Sequence, residues 1–261
     1  MASFSKSTRS ISKVKLRDSL YQLYCSARRI ITPKLRYSQE LYEDVLKLNV
    51  KHDTVWLDLG CGRHLLPEWR SEEERLLVKS CQMIVGLDYD LPSLRDHQNI
   101  SLKVRGSIEE LPFKADYFDL LTANMVVEHL EAPHVQFREA SRILKCGGVF
   151  IFHTPNAFGY PTIASRLIPE ALKLKLIYFL EERRAEDVFE THYKANTVKR
   201  IHALARANGF EVLKIHMVAT DALFEMVLPL AIAELIWIRL LMTRPFRPLR
   251  ATIIAMLRKQ C

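Results

Sequence analysis

Residues 55–64, VWLDLGCGRH, constrain the fold more than any other stretch of the chain. An apolar run ends on Asp58, and Gly60 and Gly62 flank Cys61 just ahead of a segment with helical character. A run of this kind that closes on a carboxylate and passes at once into glycines reads as strand, tight turn and helix start. Glycine is needed where a ligand must approach the backbone, and the unpaired N–H groups of a helix start attract anionic ligand atoms. On these grounds alone the turn is either a cradle for a nucleotide-like cofactor or a plain chain reversal.

The neighbouring segments narrow the choice. A dinucleotide fingerprint would put glycines at 60, 62 and 65, the third for close packing of helix on strand, and position 65 is Leu65. That counts against a nicotinamide cofactor. A second apolar run, MIVGLDYD over 83–90, ends on Asp88, where a carboxylate can accept hydrogen bonds from ribose hydroxyls. Asp90 suits a turn or a helix cap.

Four segments then carry a family resemblance: VWLDLGCGRH, IVGLDYD (84–90), VRGSIEELPFKADYFDLLTANMVVEHLEAP (104–133) and SRILKCGGVFIFHTPN (141–156). In their order and approximate spacing the chain resembles the class I S-adenosylmethionine-dependent methyltransferases, close to the branch of the ubiquinone and menaquinone methyltransferases. The likeness covers residues 50–156 well and 187–218 moderately. It implies an α/β fold: a doubly wound, mostly parallel, seven-stranded Rossmann-like sheet with helices on both faces. It also implies roles. Asp58, Gly60 and Gly62, with Cys61 between them, would hold the methionine part of S-adenosyl-L-methionine, and Asp88 the ribose. Tyr89 would stack near adenine, Ser107 and Ile108 would line the adenine edge, and Asn124 would face the methionine end. Two positions depart from the family: His64 stands where many relatives have a third glycine, and Ser107 where an aspartate often accepts from the adenine amino group.

Methyl transfer from a sulfonium is an in-line displacement that leaves a neutral thioether. Alignment and exclusion of water supply much of the rate, and a base is needed where the acceptor must lose a proton. Glu128 and His129, just beyond the fourth expected strand, are candidates, with His129 taking a proton from a hydroxyl. The same pair also reads as a structural turn common to relatives with different acceptors. His153, and His192 with Tyr193, are alternatives. In the ubiquinone-pathway O-methyltransferases a Glu three residues before the Glu–His pair completes a divalent-metal site; here that position is Met125, so no metal is expected.

At 261 residues and 49% hydrophobic content the chain suits one α/β domain with additions. The organisation expected is a basic helical extension over 1–49, a cofactor-binding core over 50–156, a helical lid over 157–190, and a C-terminal part of the same domain over 191–261. Strands are expected at 54–59, 83–88, 102–105, 118–124, 147–153 and 210–217, with 251–259 as a last antiparallel strand. A helix over 134–144 should stop at Cys146-Gly147-Gly148, and another should be capped by Asn196 or Thr197 and closed by Gly209. Five scattered cysteines form no CxxC pair, which argues for a reducing compartment and against a zinc site. No stretch has the form of a secretory signal.

The net charge of +8 is unevenly spread. Residues 1–37 carry nine Lys/Arg against Asp18 alone, and residues 235–261 carry six with no acid, which leaves the middle at −6. Two basic ends on an acidic body suit an anionic membrane surface, or else are solvated tails; nucleic acid is not expected, because no binding motif accompanies the charge. Leu16, Leu20, Leu23 and Ala27 recur at helical spacing, so the N-terminal segment reads as an amphipathic helix packed on the domain or lying on a membrane. Its composition also describes a mitochondrial transit peptide, the alternative to a cytoplasmic, membrane-associated location. Residues 222–242 are apolar but interrupted by Glu225, Pro229, Glu234 and Arg239, too many breaks for a spanning helix. An interfacial helix, a lid or a helix packed on its own domain remain open for it.

The combined expectation is a methyltransferase acting on an oxygen of a small-molecule or lipid-linked acceptor at a membrane surface. The alternatives are a non-catalytic cofactor-binding or scaffold protein and, behind it, a nicotinamide-dependent oxidoreductase.

Overall fold

The computed structural model describes residues 4–167, 190–225 and 227–261, with the side chains of the first helix from Arg17 onward. Its centre is a seven-stranded sheet. The strands are β1 (Val55–Leu59), β2 (Met83–Asp88), β3 (Leu102–Arg105), β4 (Phe118–Asn124), β5 (Leu144–Pro155), β6 (Phe210–Val218) and β7 (Thr252–Lys259). They lie in the order β3-β2-β1-β4-β5-β7-β6. The first five are parallel, and β7 runs antiparallel to both β5 and β6.

Every expected strand is present, and most bounds fall within a residue of expectation. β5 is the exception, starting at Leu144 rather than 147, because Leu144 already pairs with Phe118 across an irregular register. Gly147, at φ +78°, carries the chain through that irregularity in a conformation other residues resist.

Alternation along the strands builds two cores. Leu57, Leu87, Phe150 and Phe152 face one layer, where α5 (Pro133–Ile143) and α7 (Val198–Ala207) pack through Phe137, Ile143 and Ile201. Trp56, Ile84, Ile151 and Ile254 face the other, with α2 (Ser38–Asn49) and α3 (Ser71–Lys79) supplying Tyr42, Leu46 and Leu77. Both faces are covered, which is why these strands read as continuous apolar runs.

A third cluster joins α1 (Phe4–Ile31) to α8 (Leu228–Leu241) through Tyr24, Ala231, Leu235 and Ile238. Of the row expected on α1, Leu20 and Ala27 are half-buried on the packed side, Leu23 is 54% exposed, and the fully buried residue is Tyr24. That face is also tied down by polar contacts that periodicity does not register. The Tyr24 hydroxyl and Arg28 Nε, the latter at 2.6 Å, both donate to Asp221. On α8, the buried Glu234 accepts from the Tyr160 hydroxyl (2.7 Å) and from the N–H groups of Leu223 (2.8 Å) and Phe224 (3.0 Å).

Helix α8 therefore packs on its own domain along one face, while Ile232, Ile236 and Leu240 stay exposed on the other. Among the described residues no helix is long and apolar enough to cross a membrane. The expected lid begins as α6 (Tyr160–Leu167), following α4 (Leu91–Asp96) in the helix count; 168–189 lies outside the described residues. The cysteines are not all unpaired. Antiparallel pairing of β5 with β7 brings Cys146 and Cys261, 115 residues apart, into a disulfide with Cα atoms 5.1 Å apart.

Candidate active site

The turn after β1 is held from below. The Gly60 and Cys61 N–H groups both donate to the Leu87 carbonyl, at 2.7 and 3.1 Å, which locks the turn onto the end of β2. Gly60 sits at φ +66° and Gly62 at φ +51°, in the left-handed region. A Cβ on Gly60 would also lie 2.5 Å from Val126 Cγ2. At the end of β2, Asp88 accepts from Gly62 N–H (2.8 Å) and Asp90 N–H (2.9 Å). Asp90 in turn accepts from Ser93 N–H (3.0 Å), the cap expected of it.

These groups form one wall of a cavity of about 400 Å³ at the carboxyl edge of the strands. It lies in the size range of small-molecule sites, at the sheet position where such ligands bind. Gly60, Gly62, Asp88, Tyr89, Ser107, Ile108 and His129 all line it. So do groups that sequence reasoning did not assign to the site: Asp90, Glu109, Met125, Glu131 and Gln136. Four carboxylates, Asp88, Asp90, Glu109 and Glu131, face the space, and among the described residues no Lys or Arg does. The field inside favours a cation.

Five candidates lie outside this lining. Asp58 is buried beneath the turn and accepts from the Thr122 hydroxyl, which itself accepts from Trp56 Nε1 at 2.7 Å. Burial raises the Asp58 carboxyl to about 8, with the Thr122 bond opposing the rise and the nearby Glu74 and Asp88 adding to it. The Cys61 thiol is buried in the second core, over Gly86, where a Cβ would come within 2.8 Å of its sulfur. Desolvation pushes that thiol well up, so it is inert as a nucleophile.

Asn124 ends β4 in a polar relay: its Nδ2 donates to Gln39 Oε1 (3.1 Å), and its Oδ1 is 3.0 Å from His153 Nδ1. His153 is 1% exposed, stacks on Tyr42 and is lowered to about 4 by burial, so it is neutral and orients Asn124. Glu128 accepts from the Thr154 hydroxyl (2.9 Å), while its carbonyl accepts from the His192 and Tyr193 N–H groups at 2.7 and 3.1 Å. Burial raises its carboxyl, against the opposing pull of His129.

His129 differs from these. Its Nδ1 lies 2.7 Å from the Glu190 carbonyl, an acceptor only, so Nδ1 carries the proton and Nε2 is the proton-accepting nitrogen. Nε2 is 3.9 Å from Glu128 Oε1. His64, the departure in the glycine turn, has its ring 6.4 Å from that of His97 and does not line the cavity.

Residues 57–152 match the methyltransferase domain family. Over 138 residues the chain is 30% identical to malonyl-[acyl-carrier protein] O-methyltransferase of Legionella pneumophila, a match spanning 50% of this chain and 46% of that enzyme. The chain thus spans about half the length of that curated relative. Among solved structures it is similar to an S-adenosylmethionine-dependent methyltransferase from Mesorhizobium loti, with a TM-score of 0.53, 19% identity and coverage of 83% of this chain and 96% of that one. It is also similar to geranyl diphosphate C-methyltransferase from Streptomyces coelicolor, solved with S-adenosyl-L-homocysteine (TM-score 0.52, 13% identity, 84% and 79% coverage). At these identities the solved structures speak for the fold.

Proposed function

We propose that the protein, whose residues 57–152 match the methyltransferase domain family, is a class I S-adenosylmethionine-dependent methyltransferase that methylates an oxygen of a small-molecule or lipid-linked acceptor at an anionic membrane surface. The observation that carries the transfer reaction is the cavity with left-handed glycines on one wall and four carboxylates around it. S-adenosylmethionine is a sulfonium that also carries an ammonium, and such a field attracts it. A dinucleotide would bring two phosphates into the same acidic space.

The residues fit the cofactor. Gly60 and Gly62 would admit its methionine part, with Asp58 and Asn124 bracing the turn and the β4 end. Asp88 would accept from the ribose hydroxyls with the lone pairs left by Gly62 and Asp90 N–H. Tyr89, Ser107 and Ile108 would border the adenine. When bound, S-adenosylmethionine supplies a methyl group on a sulfur that departs as a neutral thioether. His129 supports oxygen as the acceptor atom: Nε2 takes the hydroxyl proton, the Glu190 carbonyl holds the tautomer, and the Glu128 carboxylate offsets the charge that forms. Glu128 and His153 serve as supports for His129 and Asn124.

The membrane part rests on α8. Its exposed row, Ile232, Ile236 and Leu240, runs into the arginines of 244–250, and Trp237 packs edge-on against Phe246. An apolar helix face that ends in cationic and aromatic residues matches an anionic bilayer interface.

Calorimetric titration with S-adenosylmethionine tests the cofactor assignment: micromolar binding is expected for the wild type and a large loss for Asp88→Ala, and absence of binding by both refutes it. Co-sedimentation with phosphatidylglycerol vesicles tests the surface. An Ile236→Glu/Leu240→Glu variant is expected to stay in the supernatant while the wild type pellets, and equal partitioning rejects the membrane reading.

A further inference from the structure

A second cavity, of about 510 Å³, opens at the same edge of the sheet between β6, the start of α7, the turn after β5 and the loop after α8. Its floor is apolar, built from Ile215, Met217, Val198 and Phe158, the last 58% exposed. Its charged lining is all of one sign: Lys199, Arg247 and, when protonated, His202, with no acid among the described residues. Thr197 and Val198 place the positive end of the ten-residue α7 at the same mouth.

The walls are fixed by hydrogen bonds. Buried Asn156 donates from Nδ2 to the carbonyls of Pro248 (2.8 Å) and Arg250 (2.7 Å) and accepts from Phe158 N–H (3.2 Å). Arg247 donates to the Ile215 carbonyl at 3.0 Å. Arg250 donates to the carbonyls of Leu241 (2.9 Å), Met217 (2.9 Å) and Met242 (2.8 Å). Asn156 and Arg250 thus hold an open apolar space in shape, with Lys199 and the tethered Arg247 at its rim.

We propose that this cavity binds a single-chain anionic amphiphile: an alkyl chain on the Ile215–Met217 floor, its terminal phosphate or carboxylate at Lys199, Arg247 and the start of α7. An inorganic anion would leave the floor exposed to water, and a neutral lipid would leave the cations unused. A cationic amphiphile would meet like charges. Binding here does not depend on methyl transfer. The site lies on the cofactor's side of the sheet, three strand spacings from β4, a lateral distance of about 14 Å.

The experiment is calorimetric titration of the full chain with decyl phosphate below its micelle concentration, run beside inorganic phosphate, decanol and decyltrimethylammonium. Decyl phosphate is expected to bind at least about tenfold more tightly than the other three. Lys199→Glu, at an exposed position, is expected to weaken it by about tenfold or more, and Ile215→Trp to abolish it by filling the floor. Both variants should keep the wild-type melting profile and S-adenosylmethionine affinity, so loss of decyl phosphate alone marks the site. Equal binding of decyltrimethylammonium or inorganic phosphate overturns the proposal. So does wild-type affinity for decyl phosphate in both variants.

Discussion

The two cavities on one sheet edge differ in sign. The one over β1, β2 and β4 is ringed by Asp88, Asp90, Glu109 and Glu131, and the one over β5 and β6 by Lys199 and Arg247. The chain's net charge of +8 describes neither. Selectivity in such a molecule is set within each concavity, where low-dielectric walls focus the field of a few groups, and the overall charge governs only the approach of large partners.

The contrast can be broken most severely at Gly60. Gly60→Val adds a side chain at φ +66° and against Val126, so a loss of about 2–5 kcal/mol is expected by urea denaturation, with the acidic cavity closed. Retained stability and cofactor affinity would mean that Val126 does not roof the turn. Asp88→Ala should then cost roughly 100-fold in S-adenosylmethionine affinity and leave decyl phosphate binding untouched. Reciprocal effects of Asp88→Ala and Lys199→Glu on both ligands would show one continuous site instead of two.

A pH series separates the buried groups beneath the acidic cavity. His153 is lowered to about 4 in the fold, below the ordinary value of 6.5, so its contribution is present above about 6.5 and is lost as pH falls toward 4. Asp58 is raised to about 8 from 3.8, so its contribution is present below about 4 and is lost as pH rises toward 8. His153→Gln should flatten the acid limb of a stability profile and Asp58→Asn the alkaline limb. The smallest effect concerns salt: raising it from 0.05 to 0.5 M should weaken both ligands only a few-fold, since the charges at each site lie within a Debye length of the ligand.

Much of the acidic half was legible because its signals are local. Strand ends, glycines and the Asp90 cap follow one another within a few residues, and their meaning depends on backbone sterics alone. Glu109, Glu131 and Gln136 were not legible as site residues. Glu109 and Glu131 stand in loops without periodicity, and Gln136 is a polar residue on the buried face of α5 that only the packing of that helix on the sheet brings to the cavity. The centre of the packed face of α1 was missed for a related reason: Tyr24, between Leu20 and Ala27, is held with Arg28 by Asp221, nearly two hundred residues away. Nothing in the spacing of Cys146 and Cys261 could announce their pairing, since strand order creates it. The basic cavity was invisible for the same reason, being assembled from four segments between Asn156 and Pro248.

That strand order has a consequence for how the molecule is made. β7 is synthesised after β6 yet lies between β6 and β5, so β6 has no neighbour in the sheet until residues 252–259 have left the ribosome. The five parallel strands are complete by Pro155 and can pack while translation continues; the outer edge must wait with its apolar floor uncovered. A nascent chain stalled between β6 and β7 would carry the acidic cavity and lack the basic one, exposing Ile215 and Met217 to whatever chaperone attends it.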